Sequence, residues 1–222
     1  KREVYIVVLV SSGAIAAGMG ALGLDSKPKT LPEKQALAAI GQARLMEIYE
    51  EIFQVFNMKC SQILLNHDDF DDRHRLMNLN HTINALLNYG VVPIINENDA
   101  LAVDEIKVGD NDTLASLIVP LVEAQLLILV SDIDGLYTGN PHTDPDAVLI
   151  HYVDKIDDTI LSYAGDTVSG LGTGGMATKL KAAQMVNALG SHMCIVNGQK
   201  ENSILNALDN EGTWFNGASG TN

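Results

Sequence analysis

Apolar and polar positions alternate on two length scales along the chain. Short continuous apolar runs at residues 4–10, 62–65, 91–95, 126–130 and 193–196 predict strands buried on both faces. Between them, residues 33–56 place Leu37, Ile40, Ile48, Ile52 and Val55 at helical spacing, which predicts a helix with those positions inward. Residues 73–87, 113–122 and 176–189 read as helices too, and 153–161 has a helical look. Strands of this kind alternating with helices predict an α/β fold with a mostly parallel sheet. Residues 135–146 are rich in turn formers and predict an excursion from the sheet. No repeat, low-complexity tract or Pro/Gly-rich linker interrupts the pattern, so residues 1–222 read as one domain.

Composition narrows the classes of function. The 222 residues are 46% hydrophobic and 19% charged, an ordinary globular balance. Acidic residues number 28 and basic ones 14, a formal charge of −14. That speaks against nucleic acid and against anionic membrane surfaces, both of which select for Lys and Arg. The most apolar stretch, 117–130, is broken by Pro120, Glu123 and Gln125 and is too short to span a bilayer. The start of the chain lacks a signal-peptide layout, so a cytoplasmic location is expected. Cys60 and Cys194 lie far apart and read as small apolar residues in a reducing compartment. His67, His74 and His81 recur every seven residues and read as a helix edge, not a site.

Parallel sheets bind ligands where strands end, and several such junctions here are polar or glycine-rich. Ser11-Ser12-Gly13-Ala14 follows the first strand; it is either a ligand loop or a turn with a serine cap. Asn96-Glu97-Asn98-Asp99 ends the third run with four polar side chains, suited to a substrate ammonium or amide, or to a metal. Lys107 to Asp112 puts Asp110 and Asp112 around Asn111 ahead of a helix. Asn111 or Asp112 is a natural cap there, while the oxygen-rich cluster also suits Mg²⁺. Gly170 to Lys179 sets glycines and Thr173 before a helix start, an anion cradle, and Lys179 stands where a helix disfavours a cation. As a first-turn residue it is expected to add little to a core. A Walker A loop is excluded because Met176-Ala177 replaces its Lys-Ser/Thr. Ser131-Asp132 ends the fourth run as a further ligand edge, or merely a turn completed by Asp134-Gly135.

Taken together, SSGAIAAG, KQALAAIGQ, INENDA, IKVGDND, SDIDGLYT and GLGTGGMATK, in order from Ser11 to Lys179, resemble the glutamate 5-kinases of the amino acid kinase family. The resemblance implies a three-layer α/β/α sandwich and transfer of the ATP γ-phosphoryl to the side-chain carboxylate of L-glutamate, with Mg²⁺. It implies that Ser12, Asp99 and Asn111 bind glutamate, that Asp112 organises the transfer site and that Lys179 stabilises the moving phosphoryl. It assigns Ser131, Asp132, Thr173, Gly174, Gly175, Met176, Ala177, Thr178 and Lys179 to ATP, and leaves Asp110 or Asp112 as the candidate metal ligand. It further implies a dimer or tetramer and feedback inhibition by proline. Against the family pattern, the chain is expected to lack the opening strand with its Lys-x-Gly loop, and a PUA domain. Gly212-Thr213-Trp214-Phe215 resembles the family's closing strand. Two other readings stand beside this one: an amino acid kinase with another acceptor, and a non-catalytic ATP- or amino-acid-binding regulator. A nucleotide acceptor is disfavoured because Lys107 is the single Lys or Arg between Arg75 and Lys155.

Overall fold

The structure, a computed structural model, describes residues 4–101, 110–165 and 175–217. The chain divides into two compact units, Lys1–Leu114 and Ala115–Asn222, each built on its own sheet.

The first unit holds β1 (Leu9–Val10), α1 (Ala14–Leu22), α2 (Leu31–Val55), β2 (Lys59–Leu65), α3 (Arg73–Asn88) and β3 (Val91–Glu97). Its sheet runs β1-β3-β2, all parallel. β3 is central and its residues 92–97 are buried, with Ile94, Ile95 and Ile83 of α3 at 1% exposure or less. The expected first strand shrinks to two residues, and Val4 and Ile6 are exposed. Proline supplies the reason. Ser11 donates its N–H to the Ile95 carbonyl, so Ile95 faces β1, and Pro93, two residues back, faces the same way. Continuing the ladder towards Val7 needs an N–H from Pro93, which has none.

α2 starts at a full capping box: Thr30 accepts the Glu33 N–H and Glu33 accepts the Thr30 N–H. Its buried residues are Leu37, Ala38, Gly41 and Met46, whereas Ile40, Ile52 and Val55, expected inward, are exposed. Small residues decide the face. A Cβ on Gly41 would land on the Ala14 carbonyl, and one on Gly18 on that of Leu37, so α1 and α2 meet at backbone distance. The expected histidine edge is exposed, with His67 in a 3₁₀ turn ahead of α3.

The unit boundary falls within α4 (Asn111–Val122). The second unit adds β4 (Leu126–Ser131), β5 (Tyr152–Val153), α5 (Asp158–Ser162), α6 (Met176–Ala188), β6 (His192–Asn197), α7 (Ser203–Ala207) and β7 (Thr213–Phe215). Its sheet runs β4-β6-β7-β5, with β6 and β7 antiparallel and the other pairs parallel. Met193, Cys194 and Ile195 are fully buried, as are Phe215, Ala183 and Val186. Burial pushes the Cys194 thiol up to about 12. The helical look of 153–161 resolves into β5, whose Val153 is buried against Phe215, then a short helix capped by Asp157. The turn-rich excursion folds back on itself through Tyr137 and Leu149. Thr213 anchors it: fully buried, its hydroxyl accepts the Leu136 N–H at 2.9 Å and donates to the Ile150 carbonyl. The Thr in the closing Gly-Thr-x-Phe stretch therefore ties two parts of the unit together.

Candidate active site

In the first unit, the ends of β2 and β3 and the facing stretch of α2 enclose a cleft of about 240 Å³. Ala14 from SSGA, Ala38 and Gln42 from KQALAAIGQ, and Glu97, Asn98 and Asp99 from NENDA line it, with Gln62 of β2. Motifs that stand tens of residues apart in the sequence thus share one concavity. The turn after β3 is held by the Asn98 N–H on the Leu65 carbonyl, 2.7 Å, and the Asp99 N–H on the Glu97 carbonyl, 2.9 Å.

Behind the cleft runs a chain of amides. The Glu97 N–H donates to Asn96 Oδ1 (2.9 Å), Asn96 Nδ2 to Gln42 Oε1 (3.2 Å), and Gln42 Nε2 to Gln62 Oε1 (2.9 Å). A backbone N–H can only donate, so Asn96 must present oxygen to it, and the orientation of each later amide follows. Asn96 is buried at 3% exposure, which makes its two hydrogen bonds a condition of folding and not a surface detail. The NEND stretch marks Asn96, whereas no local pattern singles out Gln42 or Gln62. Their one hint is polarity, at the end of KQALAAIGQ and inside an otherwise apolar strand.

Of the three residues that the resemblance assigns to the amino-acid substrate, Asp99 lines the cleft. Ser12 is exposed on the turn before α1, and Asn111 opens α4. That first turn is not capped by a serine. Gly13 takes the N-cap place with φ 102° and no side-chain cap bond, while Ser11 is buried with its hydroxyl 2.8 Å from the Tyr49 hydroxyl. At α4 the cap is Asp110, whose Oδ1 accepts the Thr113 N–H at 2.9 Å, so neither Asn111 nor Asp112 has that task. Asp110 Oδ2 and Asn111 Nδ2 are buried with no hydrogen-bond partner among the described residues. A bare carboxylate oxygen is the donor a hard cation takes, and Mg²⁺ commonly needs one or two carboxylates beside phosphate and water. Asp110 therefore fits Mg²⁺ as a single ligand. Among the described residues no three His, Cys, Asp or Glu side chains cluster as a protein-only metal cage.

In the second unit, Ser131 ends β4 half-buried and Asp132 is exposed beyond it, with Ser131 Oγ 3.3 Å from Asp132 Oδ1. Gly175 is the N-cap of α6 and supplies no side-chain cap, so the helix start, where an anion is favoured, is uncapped among the described residues. Met176, Ala177 and Thr178 form that turn half-buried. Lys179 is buried at 8% exposure, contrary to the expectation that it stands clear of the core. Thr173 and Gly174 lie outside the described residues, as does Lys107. Three further helices, α2, α3 and α5, begin with side-chain caps from Thr30, Asp72 and Asp157. Such caps are lacking at α1, α6 and the five-residue α7, and the first two of these follow the glycine motifs.

Comparisons with known proteins bear on the family and the fold. The model of the amino acid kinase family matches residues 1–197. The glutamate 5-kinase of Clostridium tetani is 53% identical over 214 residues, 96% of this chain and 80% of that protein. That of Clostridium acetobutylicum is 50% identical, covering 94% and 79%. Against the longer glutamate 5-kinase of Citrifermentans bemidjiense the figures are 51%, 94% and 57%. Among solved structures, an isopentenyl phosphate kinase superposes with a TM-score of 0.56 at 18% identity, covering 89% of this chain and 78% of that one. The UMP kinase of Ureaplasma parvum gives 0.55 at 14%, covering 89% and 74%. These two share the α/β fold alone, whereas the glutamate 5-kinases match at about half identity across nearly the whole chain. The chain belongs to the amino acid kinase family and, within it, to the glutamate 5-kinases.

Proposed function

We propose that this chain transfers the γ-phosphoryl group of ATP to the side-chain carboxylate of L-glutamate, forming L-glutamyl 5-phosphate, the first intermediate of proline synthesis. The observation that carries the reading is the cleft where SSGA, KQALAAIGQ and NENDA meet, with Glu97 and Asp99 as its charged lining. Two carboxylates beside amide donors match an amino acid, whose ammonium and carboxylate need opposite partners. We assign Asp99 to the ammonium and Asn111, whose buried Nδ2 has no partner among the described residues, and Ser12 to the remaining polar groups of glutamate.

Phosphoryl transfer needs in-line placement and cancellation of charge, with no covalent enzyme intermediate. Lys179 suits the second task. It stands in the first turn of α6, the helix end at which an anion is favoured, and its cation adds to that field. The N–H groups at the start of α6 receive phosphate oxygens, while Ser131 and Asp132 meet the rest of the nucleotide. Asp112, in the first turn of α4, orders the transfer site. Asp110 or Asp112 would hold Mg²⁺, which would supply neutralisation of the phosphate charge. Proline feedback, a homo-oligomeric state and a cytoplasmic location complete the reading; no described helix is long and apolar enough to cross a membrane.

Hydroxamate formation from L-glutamate, hydroxylamine, ATP and Mg²⁺ tests the activity, and Asp99→Asn tests the pocket. The expected outcome is turnover with glutamate, and an increase of about tenfold in the glutamate KM of the variant with the ATP KM unchanged. ATP binding without turnover in the full-length protein would shift the reading to the regulator. An unchanged glutamate KM would remove Asp99 from the pocket.

A further inference from the structure

The parallel strands β4 and β6 end side by side, with Ser131 opposite Asn197. The loops that leave them are joined through one carboxylate. Asp134 Oδ1 receives Lys200 Nζ at 2.9 Å and Asn197 Nδ2 at 3.1 Å, and Oδ2 receives the Tyr137 hydroxyl at 3.0 Å. An aspartate in an Asp-Gly turn ordinarily accepts a neighbouring backbone N–H. Here two of the three donors come from more than 60 residues away, on the other loop. The link is doubly secured. The Gly198 N–H donates to the Ser131 carbonyl at 2.7 Å. Asn197 Oδ1 accepts the Gln199 N–H at 2.9 Å, which turns the amide so that its NH₂ must face Asp134. The three donors hold the Asp134 carboxyl down at about 2, so it is an anion throughout the working range.

We propose that Asp134 is a positioning residue for the nucleotide: through Lys200 and Asn197 it locks the loop after β4 to the turn after β6, and so fixes the Ser131–Asp132 edge. The inference rests on the reading of Ser131 and Asp132 as nucleotide contacts and adds to it the device that holds them in place. Asp134 and Lys200 also border a cleft of about 450 Å³ in this unit. The latch therefore sits on the wall of a concavity and is not sealed inside a core. An ion pair this exposed contributes little to global stability, but it restricts the few residues that a ligand must meet.

The test compares Asp134→Asn, Lys200→Gln, the double variant and Asp132→Ala in the full-length enzyme. It reads kcat, both KM values, the Kd of MgATP by calorimetry, and the melting temperature. Asp134→Asn is expected to raise the KM and Kd for ATP by about tenfold, the loss of a charge-assisted link, with the glutamate KM unchanged. The double variant should be no worse than Asp134→Asn, since both remove the same link, and Asp134→Glu should recover part of the affinity. Unchanged ATP affinity in Asp134→Asn, an equal rise in both KM values, or additive effects in the double variant would each overturn the latch. If Asp134→Asn fails to fold, Lys200→Gln alone decides by the same criterion. Asp132→Ala separates the two levels. Weaker ATP binding in Asp132→Ala with none in Asp134→Asn overturns the latch and keeps the edge, whereas no change in either overturns the edge and the latch with it. Weaker binding in Asp134→Asn alone overturns the positioning role, because Asp134 would then touch the nucleotide itself.

Discussion

The two units close their strand ends by different means. In the first, neutral amides run from the Glu97 N–H through Asn96 and Gln42 to Gln62, and the charges lining the cleft are those of Glu97 and Asp99. In the second, a carboxylate, an ammonium, an amide and a phenol meet at Asp134. Under the proposed function the difference follows from what each end would recognise. A pocket for a zwitterion is confused by extra fixed charge, so amides whose orientation is set by the backbone can brace it without altering its field. On the proposed assignment a polyanionic nucleotide is met instead by N–H groups at a helix start and by Lys179, and an ion pair placed to one side would brace the loops with its net charge cancelled.

The comparison breaks most visibly at the nucleotide end. Lys179→Met keeps the aliphatic stem and removes the charge. It is expected to lower kcat by roughly 10²- to 10³-fold, as the loss of one preorganised charge-stabilising group does, with the fold intact by circular dichroism. A kcat within threefold of the parent, measured by steady-state hydroxamate formation, would remove Lys179 from the transfer step. Methionine serves better than alanine here because Lys179 is buried, and truncation would add a packing loss to the chemical one.

At the acceptor end the expected effect is smaller and of another kind. Gln42→Leu leaves the buried Asn96 amide without its acceptor, at a cost of about 1–3 kcal/mol. For a chain of this size that lowers the melting temperature by several degrees, at about 2–4 °C per kcal/mol. Gln42→Glu retains the acceptor for Asn96 and loses the donor to Gln62, so it should fall between the two. Equal melting temperatures for parent and Gln42→Leu would show that the amide chain does not brace the cleft.

Much of this organisation was legible in the sequence, and the exceptions have identifiable causes. The runs that became β2, β3, β4 and β6, and the glycine-led start of α6, announce themselves because a buried strand and an anion cradle each demand a narrow set of residues. The first strand was overread: its apolar run is real, but its length is fixed by Pro93 on the neighbouring strand, which no local pattern contains. The inward face of α2 was misread for a related reason. Hydrophobic spacing marks large side chains, whereas α1 and α2 approach through Ala14, Gly18 and Gly41, where the signal is the absence of a side chain. Gln42, Gln62 and Lys200 carry no distinct local signal, and Asp134 reads in sequence only as part of a turn, because each takes its meaning from a partner distant in the sequence. The sequence offers Asn111 or Asp112 as the cap of α4, whereas the Thr113 N–H chooses Asp110, one residue earlier.

The smallest expected effect separates the two braces by pH. The amide chain contains no titrating group, so its contribution is flat with pH. Asp134 is held at about 2, below the ordinary 3.8, first by its hydrogen bond from Lys200, then by those from Asn197 and Tyr137. A carboxyl depressed in the folded state binds protons more readily when unfolded, so its stabilisation is present above about pH 4 and is lost as pH falls towards 2. Lys200 is mostly exposed and Glu211 also acts on it, so solvent screening keeps the contribution under about 1 kcal/mol. Many carboxylates titrate in the same window, and the useful quantity is therefore a difference. The gap in melting temperature between the parent and Asp134→Asn should be constant from pH 7 to 5 and close as pH is lowered through 4 to 2.5. The corresponding gap for Gln42→Leu should not close. Added salt should narrow the first gap and leave the second, because screening weakens an exposed ion pair and not a buried amide. Two gaps that close together would mean that the ends of the two sheets are braced by the same kind of interaction after all.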